Sequence, residues 1–242
     1  MDQTMNAAKK YVAAIIGGSG SVGKHVVKSV VADPLCEKVI LVSRRELDEL
    51  KALAPDKITV QICDPLDDVA KTSNLKGTNV AFCTIGYGSA SKVSDPNELM
   101  RVDATIPGEF AKACKEAGVK HYCLMTAVGS DENAKWSSLT RNSAGGGWYN
   151  HVKGTAERLT LEAEIPYTYI AQPGALLGSP HTPKLVELIP NFILPAMYSS
   201  AHVADIAKGM VATTVDAFQK DETGVVIVAG GVQIAEGTTK NE

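Results

Sequence analysis

The sequence predicts an α/β fold in which a doubly wound, mostly parallel sheet is flanked by helices. Two observations predict this fold class. Short apolar runs rich in β-branched residues alternate with longer helical stretches along the chain, a pattern typical of β-α-β units. Most of the short runs are apolar at every position, as strands must be when helices cover both faces of a parallel sheet. We expect a single domain over residues 1–242, with a small C-terminal substrate-side region.

The predicted strands are the short apolar runs, and the predicted helices are the stretches between them. The strands cover residues 11–16, 38–42, 58–62, 80–83, 121–126, 167–171 and 225–228. The helices cover residues 21–31, 46–53, 98–117, 148–164 and 204–215. Pro107 lies within the third helix, where we expect a kink because proline lacks the N–H group that an interior helical position needs.

Two long irregular segments, residues 127–147 and 172–200, each follow a predicted strand. Loops that follow parallel strands lie at the carboxyl edge of the sheet, where open α/β folds bind ligands. We therefore expect both segments to form the substrate side of a site. Within the first segment, residues 136–147 have two interpretations, a substrate lid or a surface insertion.

Composition and charge argue against several classes of function. A formal net charge of −3 and an aromatic content of 5% do not favour a nucleic-acid-binding surface. No apolar run approaches the roughly 18 residues that a membrane helix needs, and the polar N-terminus lacks a signal-peptide core. The five cysteines show no metal-ligand spacing. We therefore expect buried reduced thiols, no metal and a cytoplasmic location.

A glycine-rich turn links the first predicted strand to the first predicted helix. Its G-x-x-G-x-x-G pattern is typical of the Rossmann-type unit that binds a dinucleotide. A side chain at the turn would block a pyrophosphate, and the last glycine lets the helix pack on the strand. The helix N-terminus then offers free N–H groups to the phosphates. The predicted phosphate-binding residues are Gly17, Ser19, Gly20, Ser21, Val22 and Gly23.

The same turn overlaps a second phosphate-binding motif. Residues 18–24 match the G-x-x-x-x-G-K pattern of a nucleoside-triphosphate P-loop. His25 follows Lys24 in place of the Ser or Thr that holds magnesium in such loops. The dinucleotide interpretation is therefore favoured, with Lys24 as a solvated helix residue.

The end of the second predicted strand indicates which dinucleotide binds. An NAD-binding domain normally carries an Asp or Glu about 20 residues beyond the glycines, for the adenosine ribose. Ser43, Arg44 and Arg45 stand there instead, and two guanidinium groups suit the 2′-phosphate of NADP(H). We therefore favour NADP(H) over NAD(H), with Asp64 placed to meet the adenine. Backbone contacts to the cofactor are expected from Thr84, Ile85 and Gly86.

Tyr149 and Lys153 indicate oxidoreductase chemistry. They are four residues apart at the start of the helix that follows the fifth strand, so both side chains share one helical face. A lysine cation beside a phenol lowers the phenol pKa toward neutral pH. Tyr149 then exchanges a proton with a carbonyl oxygen while the nicotinamide exchanges a hydride, and Lys153 also bonds the nicotinamide ribose.

Together these residues resemble the short-chain dehydrogenase/reductase superfamily, and within it the atypical branch related to the human Tat-interacting tumour-suppressor protein. The resemblance covers residues 12–228. It is carried by residues 16–23, 42–45, 63–64, 82–86, 101–103, 149–153 and 172–174. The resemblance implies that Tyr149 is the catalytic acid/base and Lys153 its partner. It also implies that Pro173 and Gly174 lie near the nicotinamide.

Two departures from the family pattern concern the catalytic residues. A serine usually ends the fifth strand and orients the substrate carbonyl, whereas Thr126 and Ala127 stand there in this chain. Thr126 keeps a hydroxyl, but the register leaves open whether Thr126 or Ala127 occupies the position of that serine. Ser130 is a more distant substitute. Gln172 replaces an arginine that family members tend to carry before the Pro-Gly pair.

The sequence therefore predicts an NADP(H)-dependent oxidoreductase that acts on a small carbonyl or hydroxyl compound. Tyr149 exchanges the proton with the substrate, Lys153 lowers the pKa of Tyr149, and Thr126 orients the substrate. The departures from the family pattern also allow an NADP(H)-binding regulator or redox sensor with little turnover, because the atypical branch includes such proteins. We expect a small-molecule substrate and neither nucleic acid nor membrane as a partner. Protein partners are implied by the resemblance alone.

Overall fold

The computed structural model describes residues 8–88, 93, 95–135, 146–185, 188, 190–193 and 195–237. The strands are β1 (Tyr11–Ile16), β2 (Cys36–Ser43), β3 (Ile58–Ile62), β4 (Val80–Cys83), β5 (His121–Met125), β6 (Tyr167–Gln172), β7 (Leu176–Leu177), β8 (Ala201–His202) and β9 (Gly224–Ala229). Seven of them form a parallel sheet in the order β3-β2-β1-β4-β5-β6-β9, and the two short strands β7 and β8 pair separately. The predicted α/β class is confirmed.

Helices cover both faces of this sheet. They are α1 (Gly23–Ala32), α2 (Asp48–Lys51), α3 (Val69–Thr72), α4 (Pro96–Met100), α5 (Ile106–Glu116), α6 (Gly147–Leu161), α7 (Val203–Gln219) and α8 (Gly231–Glu236). On one face, α1 and α7 form a core with strand residues such as Val39 and Phe82. On the other face, α3 and α5 pack on Ile40 and Tyr122, and α6 lies beside α5.

The strand order reverses at β1, which lies between β2 and β4. Ile16 and Cys83 pair at the carboxyl ends of β1 and β4. The loops that follow these two strands therefore leave the sheet side by side. In doubly wound sheets, the crevice outside such a reversal is where ligands bind.

Several predicted boundaries move by a few residues. α1 begins at Gly23 rather than at residue 21, because the preceding residues complete a turn in which the Gly20 N–H donates to the Gly17 carbonyl. α2 is shorter than the predicted helix over 46–53. β5 ends at Met125, so Thr126 belongs to the following loop.

The predicted kink at Pro107 takes the form of a π-helical turn. This turn covers Arg101–Thr105 and joins α4 to α5 without a break. Pro107 lies in the first turn of α5. A proline ring would clash with the carbonyl four residues earlier in a regular helix, which is that of Asp103, and a widened turn relieves this clash. The irregular turn thus carries Asp103.

The remaining findings concern cysteines, metals and membranes. All five cysteines are free and buried, as predicted. Within the described ranges, no His, Cys, Asp and Glu side chains form a group of three or more that could hold a metal ion. No helix in the same ranges is long and apolar enough to cross a membrane. Most of the predicted lid or insertion over 136–147 lies outside the described residues.

Candidate active site

A cavity of about 670 Å³ opens where the strand order reverses, at the carboxyl ends of β1, β2 and β4. Most of the residues predicted to bind the cofactor line it. They are Gly17, Ser19, Gly20, Ser43, Arg44, Arg45, Asp64, Thr84, Ile85 and Gly86. The fold therefore brings four separate parts of the chain to one site.

The glycine turn needs its glycines for two different reasons. Gly17 has a φ of +83°, in the left-handed region that favours glycine. A Cβ at Gly17 would also lie 2.6 Å from the Ile85 nitrogen. Gly23 has no such dihedral, but its Cβ would lie 2.0 Å from the Gly17 carbonyl oxygen and 2.7 Å from Thr84 Oγ1. Both glycines let β1, β4 and α1 approach one another.

The N-terminus of α1 suits an anion. Val22, the N-cap residue, makes no side-chain hydrogen bond to the first turn, and that turn holds no acidic residue. The first N–H groups of a helix have no partner within it, and the helix dipole favours negative charge there. This turn therefore fits the pyrophosphate of a dinucleotide.

Three of the predicted phosphate-binding residues do not line the cavity. Val22 and Gly23 are buried beneath the turn. Ser21 is half-buried, and its hydroxyl oxygen lies 3.3 Å from that of Ser179. Thr84 lines the cavity, but its hydroxyl donates to the Gly17 carbonyl at 3.3 Å, so this side chain also holds the turn in place.

The two arginines at the end of β2 are exposed where they line the cavity. Glu98 and Arg101 also line the cavity, and the sequence did not assign them to it. Arg101 forms a two-point pair with Glu98 at 2.7 and 2.8 Å and contacts Asp67 at 2.5 Å. Arg101 lowers the pKa of Glu98 through this hydrogen-bonded pair. Within the described part of the chain, no ion pair involves Arg44 or Arg45.

Tyr149 and Lys153 share one face of α6, as their spacing predicted. Lys153 Nζ lies 5.8 Å from the centroid of the Tyr149 ring. A Cβ at Gly86 would lie 3.5 Å from Lys153 Nζ. Since Gly86 lines the cavity, the Tyr-Lys pair stands next to the cavity wall.

Asp103 completes this part of the site, although no role was predicted for it. Its Oδ2 lies 2.9 Å from Lys153 Nζ, and both side chains are almost fully buried. Its other oxygen accepts a hydrogen bond from the Tyr87 backbone N–H at 2.7 Å. Asp103 therefore ties α6 to the loop after β4. Two features of the sequence pointed to it: residues 101–103 carry part of the family resemblance, and the π-turn that accommodates Pro107 presents this carboxylate.

The environment raises the pKa of Tyr149, opposite to the lowering that the sequence predicted. Burial is the main cause, the charge of Lys153 opposes it, and the charge of Asp103 adds to it. Burial lowers the pKa of Lys153, but Asp103 and Tyr149 outweigh burial and hold that pKa above its usual value. The phenol therefore stays protonated at neutral pH, beside a lysine that stays charged.

The Thr126 hydroxyl is directed at α6. Thr126 Oγ1 donates to Glu157 Oε1 at 2.5 Å, and Gln172 Nε2 donates to the same oxygen at 2.9 Å. Ser130, the distant substitute, donates instead to the Ala127 carbonyl at 2.7 Å. Glu157 thus joins the carboxyl ends of β5 and β6 to α6. The structure places the Thr126 hydroxyl in this internal contact, one residue before the half-buried Ala127.

Pro173 and Gly174 shape the loop after β6 and do not line the cavity. The Pro173 carbonyl accepts a hydrogen bond from the Val128 N–H at 3.0 Å. A Cβ at Gly174 would lie 2.6 Å from the carbonyl oxygens of Tyr198 and Ser199. These contacts pack the two substrate-side segments together at the edge of the sheet.

Comparison with known proteins places this site in a family. The profile of the NAD(P)H-binding family matches residues 17–217. The chain is 25% identical over 228 residues to "Protein FMP52, mitochondrial" of Meyerozyma guilliermondii, covering 90% of this chain and 91% of that protein. It is 27% identical over 165 residues to "Protein HTATIP2" of Rattus norvegicus, covering 67% of this chain and 62% of that protein.

Solved structures agree on the fold. The UDP-Glc/GlcNAc 4-epimerase of Campylobacter jejuni superposes with a TM-score of 0.65 at 15% identity, over 93% of this chain and 82% of the epimerase. At that identity the likeness shows a common Rossmann-type architecture alone.

The relatives also correct one prediction. The FMP52 relative and three further relatives are named mitochondrial proteins, so the predicted cytoplasmic location is contradicted. The prediction was based on free, buried cysteines, and these do not distinguish one reducing compartment from another. The family match and the relatives do confirm the resemblance to atypical short-chain dehydrogenase/reductases. The chain belongs to the NAD(P)H-binding family, with FMP52 and HTATIP2 proteins among its homologues.

Proposed function

We propose that this protein is an NADP(H)-dependent oxidoreductase that acts on a small carbonyl or hydroxyl compound. The observation that carries the proposal is the position of Lys153, whose Nζ lies beside Gly86 at the wall of the dinucleotide cavity. A nucleotide site and a proton-transfer residue are therefore adjacent. When bound, the nicotinamide would supply or accept the hydride.

Different residues of the site would hold the phosphates and the adenosine of the dinucleotide. The glycine turn and the uncapped N-terminus of α1 suit the pyrophosphate. Arg44 and Arg45 suit a 2′-phosphate, because neither guanidinium forms an ion pair in the described part of the chain. Asp64 lines the same cavity, and in this proposal it meets the adenine.

Tyr149 would give its proton to the carbonyl oxygen of the substrate in the reducing direction. Its raised pKa keeps the phenol protonated for this step. Lys153 stays charged because Asp103 pairs with it, and its charge stabilises the phenolate that remains. Asp103 therefore acts as a positioning residue that holds Lys153 beside the tyrosine.

The test of catalysis is Tyr149→Phe, assayed with NADPH on a carbonyl compound that the unsubstituted protein reduces. Loss of a general acid lowers kcat by roughly 10²–10⁴-fold. Tyr11→Phe is the matched control, because the Tyr11 hydroxyl bonds Asp33 far from the cavity. Equal rates for Tyr149→Phe and the unsubstituted protein would refute the mechanism.

The test of cofactor preference is the double substitution Arg44→Ser, Arg45→Ser. Each charge-assisted hydrogen bond contributes about 1.5–3 kcal/mol, so the kcat/KM ratio of NADPH to NADH should fall at least about tenfold. Lys51→Ser, an exposed basic residue on α2, should leave the ratio unchanged. An unchanged ratio in the double variant would contradict the NADP(H) preference.

One observation favours a second candidate, an NADP(H)-binding regulator or redox sensor with little turnover. The only hydroxyl at the end of β5 in this chain, that of Thr126, is bonded to Glu157, which leaves Ala127 at the neighbouring position. A panel of carbonyl compounds with NADPH separates the candidates. Sustained turnover on any compound supports the enzyme, and tight NADPH binding without turnover supports the sensor.

The names of the FMP52 relatives support a mitochondrial location for this protein. Fractionation of cells that express the tagged full chain tests this location. Recovery of the protein with the mitochondrial fraction is the expected result. Protein partners are proposed only by analogy with the branch, whereas the proposed substrate is a small molecule.

A further inference from the structure

Strand β9 forms one edge of the parallel sheet. It is the last strand in the order and pairs with β6, and in the part of the chain that the structure describes no other strand lies beside it. Gly224 and Gly230, at and just beyond the ends of the strand, donate their N–H groups toward β6. Backbone groups alternate in direction along a strand. The N–H and C=O groups of Val225, Ile227 and Ala229 therefore point away from β6.

Two of these outward-facing positions carry exposed apolar side chains. Val225 is 54% and Ile227 is 52% exposed, whereas Val226 and Val228 pack into the core. No charged residue and no proline occurs between residues 223 and 235. Proteins usually protect a free sheet edge with charged side chains, proline or a covering segment. The composition of β9 is instead that of a strand that pairs with another strand.

A larger apolar surface continues from the end of β9. The 3₁₀ turn Ala196–Tyr198 contacts β9, and a Cβ at Gly230 would lie 2.3 Å from the Ala196 carbonyl oxygen. A second 3₁₀ turn, Asn191–Ile193, packs against the first, and residues 188–201 include no charged residue. We call this surface the edge patch. Its large apolar side chains are 44–88% exposed, and they are Phe192, Ile193, Met197, Tyr198, Val225 and Ile227.

We propose that the edge patch is a dimer interface, in which β9 pairs antiparallel with β9 of a second copy of this chain. The proposal does not depend on the enzymatic function. A two-fold axis beside Val226 places Val225 opposite Ile227 of the second copy, and these two residues exchange both backbone hydrogen bonds. The same register places Glu222 opposite the uncharged Gly230, so no like charges meet. The edge of β9 is therefore complementary to itself.

The area of the edge patch is close to what a stable dimer needs. At these exposed fractions, each large apolar side chain leaves on the order of 100 Å² in contact with water. The six side chains of the patch therefore bury about 600 Å² per copy, before the backbone of β9 is counted. Specific interfaces bury roughly 600–1,000 Å² per partner. The cavity lies at β1, β2 and β4, which are separated from β9 in the sheet, so pairing leaves it open.

The experiment is sedimentation velocity of the full chain over a range of concentrations. We expect the unsubstituted chain to form a species of twice its own mass of 25.5 kDa. Ile227→Lys should raise the Kd of the dimer at least about 100-fold, because each copy then buries an unpaired charge. Ile62→Lys is the matched control, since Ile62 is 47% exposed on β3, at the opposite edge of the sheet. Circular dichroism checks the fold of each variant.

The double substitution Val225→Thr, Ile227→Thr is a second test that protects the fold, because threonine also favours strands. It should raise the Kd of the dimer about tenfold through lost apolar contact. An unsubstituted chain that is monomeric at every concentration would overturn the proposal. So would a dimer that neither β9 variant weakens, or one that Ile62→Lys weakens equally.

Flotation with phosphatidylcholine vesicles tests a different occupant of the edge patch. The dimer has this patch buried, so the unsubstituted chain should stay in solution when these vesicles float. A monomeric chain that floats with the vesicles, and that loses this binding in Ile227→Lys, would assign the patch to a lipid surface and overturn the dimer.

Discussion

The cofactor side and the proposed catalytic side of this site are built in different ways. On the cofactor side, backbone geometry dominates: Gly17 adopts a positive φ, and Gly23 lets α1 approach β1 and β4. On the catalytic side, buried polar side chains dominate, above all the pair of Lys153 and Asp103 at 2.9 Å. Each part of the first side is a short motif that can be read in the sequence, whereas the second side depends on pairs of residues that are distant in sequence.

The largest effect is expected where a buried charge loses its partner. Asp103→Ala leaves the Lys153 cation buried without a counter-ion, so it should lower the free energy of unfolding by about 3–5 kcal/mol. Denaturant titration measures this change. Asp103→Leu combined with Lys153→Met removes both charges and should recover most of the stability. A loss below about 1 kcal/mol in the single variant would mean that the pair is solvated.

A smaller effect on stability is expected on the cofactor side. Gly17→Ala and Gly77→Ala both place an alanine at a φ of +83°, but only the Cβ at position 17 meets other backbone atoms. Gly77→Ala should therefore cost about 1 kcal/mol from strain alone. Gly17→Ala should cost about 2–4 kcal/mol because overpacking adds to the strain. Thermal or denaturant unfolding measures both losses. If the two variants lose the same free energy of unfolding, the turn at Gly17 can relax around the added Cβ.

The pH dependence of the reaction rate, measured in each direction, tests the protonation state of Tyr149. Reduction needs the protonated phenol of Tyr149, and its raised pKa means that the rate should be flat between about pH 6 and 8. Oxidation needs the phenolate, so its rate should rise about tenfold per pH unit across that range and continue to rise above it. Initial rates in both directions check this. A plateau of the oxidation rate near pH 7 would show that the pKa of Tyr149 is lowered.

The smallest effect concerns the missing serine. Ala127→Ser places a hydroxyl at the position that follows Thr126 and should raise kcat/KM roughly two- to tenfold, the value of one hydrogen bond. Thr126→Val is the control, because the Thr126 hydroxyl bonds Glu157 and its loss should lower stability rather than rate. A rate loss in Thr126→Val without a gain in Ala127→Ser would assign the carbonyl-orienting role to Thr126.

Much of the cofactor side could be predicted because its motifs are short and continuous. The glycine turn, the arginines after β2 and the residues after β4 all line one cavity in the structure. The strand-helix alternation predicted the parallel sheet for a similar reason, since apolar periodicity reports burial directly. The cellular compartment could not be predicted in this way, because the residues of the fold do not encode it.

The partners of the proposed catalytic residues could not be predicted, because their contacts join distant segments of the chain. Asp103 meets Lys153 across two helices, and Glu157 collects hydrogen bonds from the ends of two strands. The sequence expected Lys153 to lower the pKa of Tyr149, and burial reverses that direction. Desolvation of a group depends on all the atoms packed around it. The spacing of residues in the sequence does not predict those atoms.

The α/β architecture, the dinucleotide turn and the Tyr149–Lys153 pair could therefore all be derived from the amino-acid sequence. Each of these depends on residues that are neighbours in the chain, so steric and periodic rules act on them directly. Three other features depend on the folded chain: which charges are paired, where the Thr126 hydroxyl points, and the contact between Ser179 and Ser21. Those outcomes follow from long-range packing, which brings together groups that no local rule relates.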